Sequence, residues 1–380
     1  MKKVLILTTS TGQGHNQAAN SLKEVFEKHD WEVIKYDFLK SNSNFLNAAI
    51  VGGYEFLASK IPWIYGWFYK ITDKKITNSF LNIVFFIMQR KFLHYLKEIK
   101  PDIIIGTHPM SVNLTTSLKK RKKINIPFIS IITDFKVHYA YVNKYTDAYI
   151  TGSDYTKDHL ISKGIPGDII YNYGIPVRPV FFENDPDVCA SRNDEYFNVL
   201  LMGGSMGLNN ISDVLRELIK NTHKLRITVV CGNNESLKAK LTIEYSAKIA
   251  AKKLHILGFT KDVSAIMDYC DVIISKPGGL TVTEAIAKKI PIIVPFAIPG
   301  QEYENVEFLT QMHCAKYVDH IEDINYVLNQ LISDPSEINK MKENLGKLRE
   351  NYSTEKIYEL SERLSYSYKF VSELSMENNR

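Results

Sequence analysis

The stretch "KKVLILTTSTGQGHNQAAN", residues 2–20, opens on a short apolar run, breaks at a turn holding two glycines, and continues with helical spacing. The run reads as a buried first strand, Lys3 to Thr8, and the order strand, glycine turn, helix is the opening unit of a parallel α/β sheet. Gly12 and Gly14 let the backbone approach an anion or a developing negative charge at a helix N-terminus. The turn is not a Walker loop, because no Lys-Ser/Thr follows, and Gln17 holds the third glycine position of G-x-G-x-x-G. Asp37, at the end of the second strand, keeps a dinucleotide-binding reading open. His15 lies at the helix start, where the positive end of the dipole favours the neutral imidazole that a general base needs. A histidine acting only as a cap or packing neighbour fits the same position.

The same rhythm recurs along the chain. In the first half the expected strands are Lys3 to Thr8, Glu32 to Tyr36, Ile103 to Gly106, Phe128 to Ile132 and Ala148 to Thr151. In the second half they are Asn198 to Met202, Arg226 to Cys231, His255 to Leu257, Val272 to Ser275 and Ile292 to Val294. The class is therefore α/β, with two doubly wound, Rossmann-like sheets. A length of 380 residues, 45% of them hydrophobic, supports two cores and is short for three. "YGIPVRPVFFENDPDVCASRND", residues 173–194, carries three prolines and no regular period, so it reads as a connector. It sets the expected domains at 1–177 and 178–353, with a helix over about 354–375 that finishes the second domain or packs back on the first.

A net charge of +5 is too small for a dedicated nucleic-acid binder and suits an anionic surface or ligand. Cys189, Cys231, Cys270 and Cys314 form no C-x-x-C pair, which argues against a disulfide framework or zinc site and fits a reducing cytosol. The N-terminal apolar run is shorter than a signal peptide's, and no window approaches the ~18 apolar residues of a membrane span. One segment departs from the α/β rhythm. Tyr54, Phe56, Trp63, Tyr65, Trp67, Phe68 and Tyr69 lie among Lys60, Lys70, Lys74 and Lys75, a mixture that suits the membrane–water interface and equally a lid packed on its own domain. "KKRKK", residues 119–123, reads as a solvated helix end or a contact for anionic headgroups.

Further motifs repeat the strand–turn–helix design. Gly203, Gly204 and Ser205 follow the first strand of the second half and offer a second anion cradle, unless the glycines serve only a tight turn. Lys276, Pro277, Gly278 and Gly279 follow a later strand, and Thr281 and Glu284 share a face of the next helix. A carboxylate there can accept both hydrogen bonds of a vicinal diol. Gln301, Glu302 and Asn305 come after a further strand and a Pro-Gly turn, where polar side chains can read sugar hydroxyls. In the first half, "GTHPM" and "TDFKVHYAY" put His108, Asp134 and His138 at strand C-termini, the edge where open α/β sheets bind ligands. Ordinary loop polar residues explain each of these singly.

Taken in order, "TSTGQGH", "GTHP", "TDFKVH", "GGSMG", "VVCGNN", "SKPGGLTVTEA" and "IPGQEYEN" resemble the monogalactosyldiacylglycerol synthase and processive diacylglycerol glucosyltransferase family, glycosyltransferase family 28. The resemblance runs from Lys2 to about Tyr352. It implies the GT-B fold, two Rossmann-like domains facing a cleft, and transfer of glucose or galactose from a UDP-hexose to diacylglycerol with inversion, using neither metal nor cofactor. It implies that Gly203, Gly204 and Ser205 lie near the phosphates, Phe259 at the uracil, Glu284 on the ribose diol, and Gln301 and Glu302 near the hexose. Cys231 and Gly232 match a strand-end pair of the family, and Lys276 to Gly279 with Thr281 its donor loop. His15 matches the base, with Gly12, Gly14, His108, Asp134 and His138 on the acceptor side. A peripheral protein on the cytoplasmic face of the membrane follows. Tyr141 stands where the bacterial members are expected to carry tryptophan, and residues 45–75 follow the family loosely. Two other functions fit the same motifs: N-acetylglucosamine transfer to a polyprenyl-linked acceptor, and a non-catalytic nucleotide-binding module.

Overall fold

Val4, Leu5, Ile6 and Leu7 are fully buried, as in a strand covered on both faces. In the computed structural model, whose described residues are 1–9, 13–38, 40, 63, 66, 67, 73, 86–183, 195–203, 210–251 and 253–377, this strand is β1, Lys3–Thr8. The chain divides into two units: residues 1–178, 299–301 and 351–380, and residues 179–298 and 302–350.

In the first unit β1 pairs in parallel with β2 (Glu32–Asp37) on one side and β3 (Ile103–Gly106) on the other. With β4 (Phe128–Ile131), β5 (Ala148–Ile150) and β6 (Ile170–Tyr171), the order is β2-β1-β3-β4-β5-β6, all parallel. Alternate side chains of β1 feed two cores. Leu5 and Leu7 pack with Phe92 and Phe128, while Val4 and Ile6 pack with Leu22, Phe26 and, from the helix Thr354–Glu377, Ile357 and Leu360. Each such side chain contributes about 1.5–3 kcal/mol by leaving water.

That C-terminal helix is tied to the first sheet by specific contacts. Tyr358 stacks on His29 with centroids 3.9 Å apart, and Tyr352 Oη donates to the carbonyl of Gly152. Gly174, at φ +83°, faces the Tyr352 ring so closely that a Cβ there would lie 2.6 Å from Cγ. Lys119 departs from both readings of the 119–123 basic run. Its ammonium is buried, donating to Ile126 O at 3.1 Å, to Tyr368 Oη at 3.0 Å and to Asp147, whose carboxylate also accepts from Phe128 N at 2.7 Å. Burial lowers its pKa although Asp147 opposes the shift.

The second unit repeats the plan with β7 (Phe197–Met202), β8 (Leu225–Val230), β9 (Leu254–Leu257), β10 (Val272–Ser275), β11 (Ile292–Val294) and β12 (Ala315–Tyr317). Its order is β12-β11-β10-β7-β8-β9, again all parallel. Val199, Leu201, Val229, Ile274 and Ile293 form its core with Val214, Leu215 and Leu218 of the helix Asn210–Leu218. Lys288 and Asp268 form a buried ion pair at 2.6 Å, with side chains 1% and 6% exposed.

Strand order in each sheet reverses at one place, between β1 and β3 in the first and between β7 and β10 in the second. Loops leaving the C-terminal ends of those strands diverge to opposite faces and open a crevice for a ligand.

Candidate functional site

The first switch point gathers the segments after β1, β3 and β4. The helix Gln13–Lys28 begins earlier than the glycine turn suggests, so Gly14 and His15 lie inside its first turn. Gly12 falls outside the described residues. His15 Nδ1 is 2.7 Å from the carbonyl oxygen of Thr107, the residue after β3. A carbonyl only accepts, so Nδ1 carries the hydrogen and the lone pair of the neutral ring is on Nε2. Thr107 is itself fixed: its N–H donates to Leu7 O at 3.0 Å, and its Oγ1 lies 3.2 Å from the carbonyl of His15. Burial holds the His15 pKa down at about 4, with the Thr107 bond opposing.

His108 packs its ring edge against His15, centroids 4.6 Å apart. It also caps the helix Pro109–Lys120, its Nδ1 accepting from Met110 N at 3.2 Å. Burial, and then the neighbouring His15, push its pKa well below the ordinary histidine value. His138 plays the same cap role for the short turn Tyr139–Tyr141, accepting from Ala140 N at 3.1 Å. Asp134 is buried, and Gln301, which groups with the first unit, donates its side-chain Nε2 to Asp134 Oδ1. The structure thus brings His15 and His108 into contact and leaves His138 occupied at its own turn. Proline at the first helical position was the available sign that His108 is a cap.

Two residues here, the first and last of the stretch TDFKVHYAY, are given no role by the sequence. Thr133, two residues beyond β4, has its Oγ1 3.2 Å from His15 Nδ1 and 3.1 Å from Tyr141 Oη. Both residues are buried. Tyr141 is held in turn by Tyr149 of β5, whose hydroxyl donates to the Tyr141 carbonyl at 3.0 Å.

In the second unit, Gly203 follows β7, while Gly204 and Ser205 fall outside the described residues. Cys231 is buried at the end of β8, and burial raises its thiol to about 11; Gly232 beside it takes φ +59°. The Phe259 ring is 55% exposed, free to present a face to a flat partner. After β10 the backbone tightens, Gly278 N donating to Lys276 O at 3.0 Å, and Gly278 caps the helix Gly279–Lys288. Thr281 and Glu284 are half-buried on that helix. Side chains following β11 brace this loop. Glu302 accepts from Lys276 Nζ at 2.6 Å and from Ile298 N at 2.9 Å, and Asn305 Nδ2 donates to Pro277 O at 2.9 Å. Two loops from adjacent strands are thereby locked together around a helix N-terminus, an arrangement that receives anions. Ser275 Oγ, at the end of β10, is buried without a hydrogen-bond partner among the described residues.

Of the aromatic segment, Trp63 and Trp67 are described and are 71% and 63% exposed. Tyr54, Phe56, Tyr65, Phe68 and Tyr69 fall outside the described residues. Among the described residues, no helix is long and apolar enough to cross a membrane.

A family model for monogalactosyldiacylglycerol (MGDG) synthase matches residues 15–177, and one for the glycosyltransferase family 28 C-terminal domain matches residues 198–364. A processive diacylglycerol beta-glucosyltransferase of Bacillus subtilis (strain 168) is 32% identical over 367 residues, covering 94% of this chain and 94% of its own. Among solved structures, MurG of Acinetobacter baumannii matches with a TM-score of 0.58 at 16% identity, over 96% of this chain and 100% of its own. Anabaena HepE, solved with UDP, matches with a TM-score of 0.58 at 13% identity, over 96% and 100%. These last two likenesses are of fold. With the parallel sheets and switch-point loops above, they make the protein a two-unit glycosyltransferase of the GT-B fold, and the chain belongs to the monogalactosyldiacylglycerol synthase and processive diacylglycerol glucosyltransferase family.

Proposed function

We propose that the protein transfers a hexose from a UDP-sugar to the free hydroxyl of diacylglycerol, inverting the anomeric carbon, with His15 as general base. The observation that carries this reading is the bond from His15 Nδ1–H to the Thr107 carbonyl, which leaves Nε2 as the proton acceptor. The acceptor hydroxyl gives its proton to Nε2 as its oxygen bonds to C1. The bond from C1 to the diphosphate breaks on the opposite side, and UDP departs with the electron pair. A base with a pKa near 4 is neutral at cellular pH, and the hydroxyl becomes acidic enough to yield its proton only as the new bond forms.

The second unit holds the donor. The N-terminus of the helix Gly279–Lys288 and the Lys276 ammonium offset the diphosphate charge, so that the reading requires no metal. Phe259 stacks on the uracil and Glu284 takes the ribose hydroxyls. The name of the Bacillus subtilis relative supports diacylglycerol as acceptor and favours glucose over galactose. Lys+Arg outnumber Asp+Glu by 24 to 14 across residues 1–178, whereas acids lead by 23 to 19 across residues 179–350. With the exposed Trp63 and Trp67, that excess supports docking of the first unit on the anionic cytoplasmic face of a membrane. The test is incubation with UDP-glucose, UDP-galactose or UDP-N-acetylglucosamine and vesicles holding either diacylglycerol or a polyprenyl-linked sugar. Glucosyl-diacylglycerol and UDP are the expected products. Turnover confined to the polyprenyl acceptor, or none with any pair, contradicts the proposal.

A further inference from the structure

We infer that Thr133 is a positioning residue for His15, a second acceptor on Nδ1–H whose hydroxyl also meets Tyr141; the inference rests on the reading of His15 as the base. The geometry fixes the ring proton of His15. Thr107 O, 2.7 Å away, requires hydrogen on Nδ1. The Thr133 oxygen 3.2 Å from the same nitrogen therefore faces an N–H, and turns a lone pair towards it. The same oxygen lies 3.1 Å from Tyr141 Oη, a bond in which either hydroxyl can donate. Tyr141 stays a phenol: burial, and then the charge of Asp134, raise its pKa far above the ordinary value.

The groups facing His15 are thus uncharged. His108 meets it edge-on, neutral and accepting from Met110 N, and the charge of Asp134 acts on Tyr141. No carboxylate is seen orienting the imidazole among the described residues, so two oxygen lone pairs, from Thr107 and Thr133, are what meet the positive charge when Nε2 takes its proton. Thr133 adds to the backbone carbonyl a hydrogen bond on Nδ1 that a side-chain substitution can remove. Thr133, two residues beyond β4, can serve this purpose because β4 neighbours β3, after which Thr107 comes.

The experiment combines kinetics with the imidazole nitrogen spectrum of the resting protein at about pH 7, which reads the His15 tautomer without turnover. Thr133→Val should lower kcat about 10-fold, the effect of one hydrogen bond to a developing charge, with the KM for UDP-hexose within about 2-fold. The same variant should show a measurable share of the Nε2–H tautomer. Thr133→Ser should restore both, and Tyr141→Phe, which leaves the threonine oxygen in place, should lose about 3-fold. Wild-type kcat in Thr133→Val overturns the inference. So does a loss of activity with the tautomer unmoved, which is what a merely structural role gives. A shifted tautomer in Thr133→Val beside wild-type kcat in His15→Ala instead overturns the general-base reading, so the two failures are told apart.

Discussion

At the switch point of the first sheet, the polar groups that touch His15 are uncharged, a second histidine held neutral by burial, a backbone carbonyl and a threonine, and the Asp134 carboxylate acts on the Tyr141 phenol beyond them. At the switch point of the second, the loops after β10 and β11 are braced by the Lys276–Glu302 ion pair and an amide contact from Asn305. Both sheets have six strands, all parallel, and one switch point, although their strand orders differ, and the contrasting residues lie on the loops at those switch points. A proton acceptor works best where no fixed charge pins it in one protonation state, whereas a diphosphate needs cationic and N–H partners already in place. On the proposed reading, two parallel sheets of one class yield a base at one edge and an anion seat at the other.

The contrast breaks most readily at His15. His15→Ala should lower kcat by about 10²–10⁴-fold while UDP affinity, read by calorimetry, stays within about 2-fold. Equal losses in rate and UDP binding would erase the division between the edges. Next in size is Lys276→Met, expected to weaken UDP-hexose binding about 10–100-fold with a smaller effect on kcat, and to destabilise the fold by leaving Glu302 unpaired. Adding Glu302→Gln should recover most of the lost stability and none of the donor affinity; recovery of both would reduce the pair to a structural brace. The smallest effect is on acid stability. His15 has a depressed folded pKa, so between about pH 6.5 and 4 the unfolded chain binds a proton that the folded one refuses, and stability falls as pH falls through that window. His15→Gln should flatten part of that slope in thermal melts taken at pH steps across it.

Much of this was legible in the sequence. The buried strands of both sheets are continuous apolar runs, since parallel strands covered on two faces leave no polar alternation, and their observed bounds differ from the expected ones by a residue at most. The edge strands Ile170–Tyr171 and Ala315–Tyr317 escaped notice because two or three residues carry no period. Within the site, glycines and strand ends marked His15, Gly203 and the 276–279 loop. The contacts that give them chemistry were not legible: His15 meets Thr107 and Thr133 across separations of 92 and 118 residues, and only the strand order brings those three loop starts together. The bonds from Lys276 and Ile298 to the two Glu302 oxygens were equally out of reach of the local pattern. The Lys119 cluster likewise depends on Asp147 and Tyr368, which no local pattern links to a basic run.

That the first edge presents a neutral imidazole as base is tested most directly by the pH dependence of kcat/KM for the lipid acceptor, taken with UDP-hexose well below its own KM so that the unliganded enzyme is the reference state. Because kcat/KM reports ionisations of the free enzyme, the profile should stay flat from about pH 8 to about 5 and fall through an acid limb near pH 4, the limb belonging to His15. A limb near pH 6.5, the ordinary value for a solvated histidine, would contradict it.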